Sequence, residues 1–359
     1  MADRKLTARN GNIELLRFLF AVSVFLLHCR IGYCKNGYLG VEFFFMLSGI
    51  FMGRKLSKVE NAEKEPVSVT VKDSCSYLLK RLKSIYPYFI VSVFIGFVVM
   101  RLSLYTPIKS FVWLPTDLAF LQNYGFHVIS TTGTIWFLSA MFFAIWLVYP
   151  LARRYYSLCS RYLSLVVCFL ITGYLENNFP DLDQPNTFCG IFNTGFLRAV
   201  SMIFLGLFIN EAASVLCKFK LNKRTSYAVT VFEIIIYCIV FAYIVIPKER
   251  SNYDQVFVFI IALALIVTLS SQSLTYGKFD NKFVMFLGKM SMILFMNHFY
   301  WVRHFGYYLR TYKSFSEGQS LAVTVAATAV TCLTVYFLGN LIIKAFQKIN
   351  FKKIFLKEE

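Results

Sequence analysis

The stretch NIELLRFLFAVSVFLLHCR, residues 12–30, decides how the chain must be read. A bilayer-spanning helix needs about 20 mainly apolar residues, and this segment has them, yet it keeps Arg17 and His28 inside itself. A charged side chain at the bilayer centre costs roughly 2.5–3.5 kcal/mol on insertion scales, and such residues mark functional paths more often than not. Eleven positions separate the two. At ~3.6 residues per turn that is about three turns, so both project from nearly one face, ~16 Å apart along the axis. Two readings stand at this point. Either Arg17 snorkels to the headgroups and His28 rests at the opposite interface, or the pair marks a transverse polar path.

The rest of the chain has the same character. Of 359 residues 57% are hydrophobic, the mean hydropathy is +0.59, and there are 39 Phe and 22 Tyr. That excludes an ordinary soluble domain and suits lipid-facing helices with aromatic belts. Ten apolar stretches are predicted as spans, near residues 13–30, 38–53, 85–104, 134–151, 162–176, 196–215, 227–246, 255–272, 284–302 and 320–343. The fifth is short and the eighth has soft edges, so nine or eleven also fit. The first lacks an Ala-x-Ala-like cleavage site and is followed at once by another span, so it reads as a helix that stays.

The net charge of +18 is a matter of topology rather than of nucleic-acid binding. With the N-terminus inside, cytoplasmic segments hold 25 of the 37 cations and outer loops hold nine, with Arg17, Arg198 and Lys289 inside spans. Such a bias predicts both termini in the cytoplasm. The nine cysteines show no metal spacing; Cys29 and Cys34 both fall outside and could pair, but an odd, scattered set does not argue for a disulfide framework. The expectation is therefore an all-α, polytopic membrane protein forming a single domain over 1–359. Its membrane core covers 12–346, a cytoplasmic loop covers 54–84 and a basic tail covers 347–359. In that loop SCSYLLKRLKSIYP has helical periodicity and predicts an amphipathic helix on the inner surface. Of the outer loops, 105–133 and 177–195 are longest, and the second, with Asp181 and Asp183 and no cation, suits the cover of an outward-facing cleft.

Further polar residues sort by depth. Glu42, four residues into the second span from outside, lies at a depth similar to His28, where a carboxylate can fix an imidazole's tautomer; an interfacial Glu reaching water fits equally. His298 approaches the outer end of the ninth span and either joins that cluster or idles at the interface. Trp136 and Ser139 enter from outside, where a belt Trp is the plain alternative. Gly40, Ser48-Gly49 and Gly53 allow close helix approach. On the inner side Lys80, Arg81 and Lys83 precede the third span and Lys289 lies near the inner end of the ninth. They either enforce topology or form an electropositive mouth for a phosphorylated ligand. Glu233 and Arg198 receive no task.

In order, NIELLRFLFAVSVFLLHC, GYLGVEFFFMLSGIFMGRKL, KRLKSIYPYF, GTIWFLSAMFFAIWLVYPL and FLGKMSMILFMNHF resemble the acyltransferase-3 family of membrane O-acyltransferases over nearly the whole chain. The resemblance puts the family's Arg-x10-His pair on Arg17 and His28, its second-helix acid on Glu42, its outer Trp on Trp136 and a basic residue on Arg81. Ser84 stands where an arginine is common, and Met and Phe replace the tyrosines often found before the histidine at 298. The resemblance implies a ten-helix core in the bacterial plasma (inner) membrane. It also implies transfer of an acyl group, usually acetyl, from cytoplasmic acyl-CoA to a glycan hydroxyl outside. The partners implied are acyl-CoA as co-substrate, with no tightly bound cofactor, a carbohydrate acceptor and the bilayer. In that picture Arg81, Lys83, Lys289 and Arg17 meet the CoA phosphates. His28, oriented by Glu42, is the general base or carries a transient acyl group, and Trp136, Ser139 and His298 face the acceptor. The acceptor is a surface or exported polysaccharide, or alternatively a peptidoglycan, lipid-linked or small sugar. A transporter or flippase of a lipid-linked glycan is the competing reading; it predicts inverted repeats and paired broken helices, which the sequence does not display. A glycan polymerase predicts a large Arg- and His-rich outer loop, also not seen.

Overall fold

The computed structural model describes residues 10–103, 112, 114–122, 133–250 and 253–348. The basic tail from 349 onward and most of the 105–133 loop lie outside these. Ten long helical elements carry the chain: α1 Gly11–Cys29, α2 Leu39–Leu56, α3 Val67–Leu102, α4 Ile135–Arg154, α5 Tyr156–Asn178, α6 Thr194–Leu216, α7 Lys223–Val245, α8 Asp254–Leu269, α9 Lys282–Tyr312 and α10 Glu317–Lys348. Eight of these are long and apolar enough to cross a membrane; α2 carries more charge and α8 has only 16 residues. Strand is confined, among the described residues, to an antiparallel pair, Phe188–Cys189 with Phe192–Asn193, between α5 and α6. Asparagine starts four of the helices: the side chains of Asn10, Asn193, Asn222 and Asn281 each accept from a backbone N–H in the first turn of α1, α6, α7 and α9, meeting donors the helix itself leaves unpaired.

The centre of the bundle is the crossing of α2 and α6. A Cβ on Gly49 would overlap the Ile203 carbonyl, and one on Gly206 would overlap that of Met46, so the two backbones touch. Gly40 similarly lies against Phe20 of α1, Gly53 against Asn210, and Gly288 of α9 against Glu14 of α1. Small residues thus do at each crossing what the sequence predicts, since lipid offers no hydrophobic drive for helices to associate. By contrast α7 and α10 keep most of their apolar side chains exposed, among them Ile234, Ile235, Val330 and Phe337, as lipid-facing helices do.

Two expectations change. No separate surface helix precedes the third span: residues 67–102 form one helix running through Pro87. The short fifth stretch becomes a 23-residue helix because a π turn at Cys159–Leu163 draws polar residues into it. Cys29 and Cys34, whose pairing the sequence left open, are both free thiols.

The α2–α6 contact gives a direct test. Gly206→Leu should abolish the monodisperse peak of detergent-extracted protein in size-exclusion chromatography, because overpacking a filled interface costs about 1–3 kcal/mol or more. Gly173→Leu, at an α5 site with no atom near the added Cβ, should leave the peak in place.

Candidate active site

The two ends of the bundle differ chemically; call the end where α1 begins proximal and the other distal. At the proximal end a cavity of about 560 Å³ is lined by Arg17, Lys80, Arg81, Lys83 and Lys289, with Phe44, Leu47, Met141, Phe137 and Met296 among its apolar walls. Three helices, α1, α3 and α9, supply its cations. The sequence-predicted Arg17, Arg81, Lys83 and Lys289 therefore do converge, and Lys80 joins them. Arg17 is half-buried and bonds Glu14 Oε2 at 3.0 Å, one turn back on the same helix. Glu14 is itself buried against Gly288.

A network outside the predicted set holds the α3 cations in place. Asp73 accepts from Lys55 Nζ (2.6 Å), the Tyr149 hydroxyl (2.7 Å) and Arg153 Nε (3.1 Å), while Arg153 also grips Glu65 at 2.6 Å. It ties the start of α3 to the ends of α2 and α4. Tyr77 stacks on Tyr149 at 4.5 Å between ring centroids, and the Arg81 guanidinium lies over Tyr77 at 5.4 Å. Lys-x17-Asp spacing across a loop carries no periodic signal, which is why sequence reading passed over it.

At the distal end His28 meets His298, not Glu42. The imidazole centroids are 5.2 Å apart, and the Phe299 ring meets His28 edge-on at 5.0 Å. His298 is fully buried; its Nδ1 lies 3.0 Å from the Leu294 carbonyl and its Nε2 has no partner. An N–H must point at that carbonyl, so the proton sits on Nδ1 and Nε2 keeps its lone pair.

Glu42 instead belongs to Arg198. Its Oε1 accepts from Arg198 Nε at 2.6 Å and lies 2.5 Å from Nη2, with both side chains essentially inaccessible. The Trp136 ring faces the same guanidinium at 5.4 Å. Among the described residues no hydrogen bond joins Glu42 to His28, so the expected Glu42–His28 pair is replaced by a buried ion pair clasping α2 to α6. Equal depth and opposite charge were the available signal: Glu42 is fourth in α2 and Arg198 fifth in α6, both counted from the distal end. Ser139 is buried and its hydroxyl donates to the Phe120 carbonyl. Glu233 accepts from Thr268 and Thr275 and ties α7 to the end of α8 and the segment after it.

Three rings link the two ends. Phe44 and Phe137 line the cavity, Phe295 packs on both (6.0 and 4.9 Å), and Phe295 lies 6.0 Å from His298. A basic, apolar-walled cavity thus leads through aromatic side chains to a histidine pair.

A family model described as an acyltransferase domain matches residues 10–339. The chain belongs to the acyltransferase-3 family. No curated protein and no solved structure matches it. The matched span takes in both halves of the site just described, from Arg17 to His298, and with eight apolar helices it makes this a multi-pass membrane acyltransferase.

Removing one partner of a buried ion pair costs about 3–5 kcal/mol because the other charge is stranded. Arg198→Met should therefore lower the stability of detergent-solubilised protein by that order, and Glu42→Leu added to it should recover most of the loss in chemical denaturation. A single variant as stable as wild type would show that the clasp carries no structural weight.

Proposed function

We propose that the chain moves an acetyl group from cytoplasmic acetyl-CoA to a hydroxyl of a cell-surface or exported glycan. It does so in a bacterial plasma membrane, with ten crossings and both termini cytoplasmic. The observation that carries this reading is the proximal cavity. Five cations on three helices surround a space with apolar walls, the combination that a phosphorylated carrier with a long, weakly polar thioester arm requires. Guanidinium and ammonium groups meet its phosphates, and Phe44, Leu47, Met141 and Met296 flank the arm.

At the distal end His28 takes the proton of the acceptor hydroxyl as that oxygen attacks the thioester carbonyl carbon. The tetrahedral intermediate collapses, the C–S bond breaks, and the leaving thiolate receives the proton from the imidazolium. General-base assistance of this kind is worth ~10²–10⁴-fold. An acyl-histidine intermediate balances equally, the thiolate leaving before the acceptor arrives. His298 takes the orienting part first expected of Glu42. With its Nδ1 on the Leu294 carbonyl, the buried His298 ring packs beside His28 and holds that imidazole in place. Trp136 shapes the acceptor side while it packs on Arg198.

The test compares surface-polysaccharide O-acetyl content at matched membrane levels. His28→Ala should lower it at least ~100-fold, and Arg17→Ala should lower it as well. Persistence of acetylation with reduced glycan export would instead favour a lipid-linked glycan transporter. The donor site has its own readout in membrane vesicles. Arg81→Gln and Lys289→Gln should each raise the KM for acetyl-CoA about tenfold with little change in kcat, as expected when a charge-assisted hydrogen bond to phosphate is removed. Their KM values should also vary less with salt than that of wild type.

A further inference from the structure

The proximal cavity does not end at Lys289. A second space, of about 450 Å³, shares two lining residues with it, Lys289 and Tyr336. One stripe of α9 lines this space: Lys282, then Met285, Phe286 and Lys289, three, four and seven positions further on. Residues at that spacing share a helix face, and seven of them rise about 10 Å along the axis. Tyr336 of α10 adds a second ring, edge-on to Phe286 at 5.4 Å between centroids. An ammonium thus stands at each end of a short apolar strip.

The two lysines are exposed, whereas Met285, Phe286 and Tyr336 are half-buried. Asp280 supplies the carboxylate on the lining and directs Oδ1 to the Gly11 amide at 2.6 Å. That bond seats the start of α9 beside the start of α1, so the space opens at the proximal end. Among the described residues neither Lys282 nor Lys289 forms an ion pair with a carboxylate. Lysines that only enforce topology or meet lipid headgroups need no aromatic strip between them. A nucleotide does need one, because its base stacks on side-chain rings while its phosphates meet ammonium groups. The residues common to both spaces then fall where the arm of such a donor joins its nucleotide.

We propose that this second space holds the 3′-phosphoadenosine end of the acyl donor. The base lies against Phe286 and Tyr336, the 3′-phosphate meets Lys282, and the diphosphate meets Lys289 where the two spaces join. This rests on the acyl-transfer reading. It adds Lys282 and Phe286 as specificity-determining residues, which distinguish a complete donor from one lacking the phosphate or the base.

A phospholipid headgroup offers the same phosphate chemistry, so the test varies donor and lipid separately. Full-length protein is placed in nanodiscs of phosphatidylcholine, with or without phosphatidylglycerol. It is titrated calorimetrically with acetyl-CoA, 3′-dephospho-acetyl-CoA and acetyl-4′-phosphopantetheine. For wild type, Kd should rise about tenfold on loss of the 3′-phosphate. It should rise about tenfold again on loss of the adenylyl group, in either lipid. In Lys282→Gln the first ratio should shrink towards unity, while Lys282→Arg should keep most of it. Phe286→Ala should shrink mainly the second. Each ratio is taken on one preparation, so a lower folded fraction leaves it unaffected.

Equal wild-type Kd values for acetyl-CoA and its 3′-dephospho form would overturn the proposal and leave acyl transfer standing. So would a glutamine variant that keeps the wild-type ratio. A first ratio lost on adding phosphatidylglycerol would assign the lysines to lipid phosphate and overturn it as well. If none of the three compounds binds, the coenzyme donor itself falls, and this subsite with it.

Discussion

The direct contact of α2 and α6 at Gly49 and Gly206 is the constraint from which the rest of the molecule follows. It fixes α2 with two opposed working faces. Glu42, Met46, Gly49 and Gly53, spaced by three and four residues, meet α6, whereas Phe44, Leu47, Ser48 and Phe51 line the proximal cavity. Positions two apart on a helix point ~160° away from each other, so a helix held tightly on one side necessarily offers the other. With α2 buried on almost every side, Glu42 can stand within it without meeting lipid.

The Glu42–Arg198 clasp follows from the same geometry. Where two backbones touch, side chains above the crossing point are brought together, and ionised groups there are cut off from both water and lipid headgroups. Desolvation makes each charge costly alone and tolerable in company. The orientation of α2 that places Glu42 against α6 also withdraws it from α1. For that reason the carboxylate at His28's own depth in the next helix is not its partner in space. The imidazole that does reach His28 comes from α9, which Gly288 packs against α1 at Glu14.

Much of this was legible before the structure. Each predicted apolar stretch coincides with one of the helices. Depth alone put Lys80, Arg81, Lys83 and Lys289 on the side of Arg17, either to enforce topology or to form an electropositive mouth, and the cavity gathers all five. Depth is legible because composition and span order fix how far along a helix each residue sits. Azimuth is not: which of several helices at the same depth a side chain faces depends on crossings between elements far apart in sequence. Glu42 could have met His28, Arg198 or water, and only the Gly49–Gly206 crossing decides. Boundaries failed for a different reason. Pro87 and the polar residues around Cys159 are marks of helix ends in water, but within a packed bundle a helix can run through them, in the second case by widening into a π turn.

The proposed reaction, with its donor on one side of a membrane and its acceptor on the other, would have to keep the two aqueous phases apart while one group crosses. The rings of Phe44, Phe137 and Phe295 occupy that position, between a basic cavity and a histidine pair. Aromatic side chains suit it, because they exclude water and ions by their bulk, yet each moves aside by rotating about two side-chain bonds. In the proposed reaction a thin apolar thioester arm would part such rings, whereas hydrated phosphates, met by Arg17 and its neighbours, would stay at the proximal end. The ~16 Å rise from Arg17 to His28 along one helix would then set the reach required of the arm in the proposed reaction. It is fixed by a single rigid element, so the two ends of the site cannot drift relative to each other as substrates come and go.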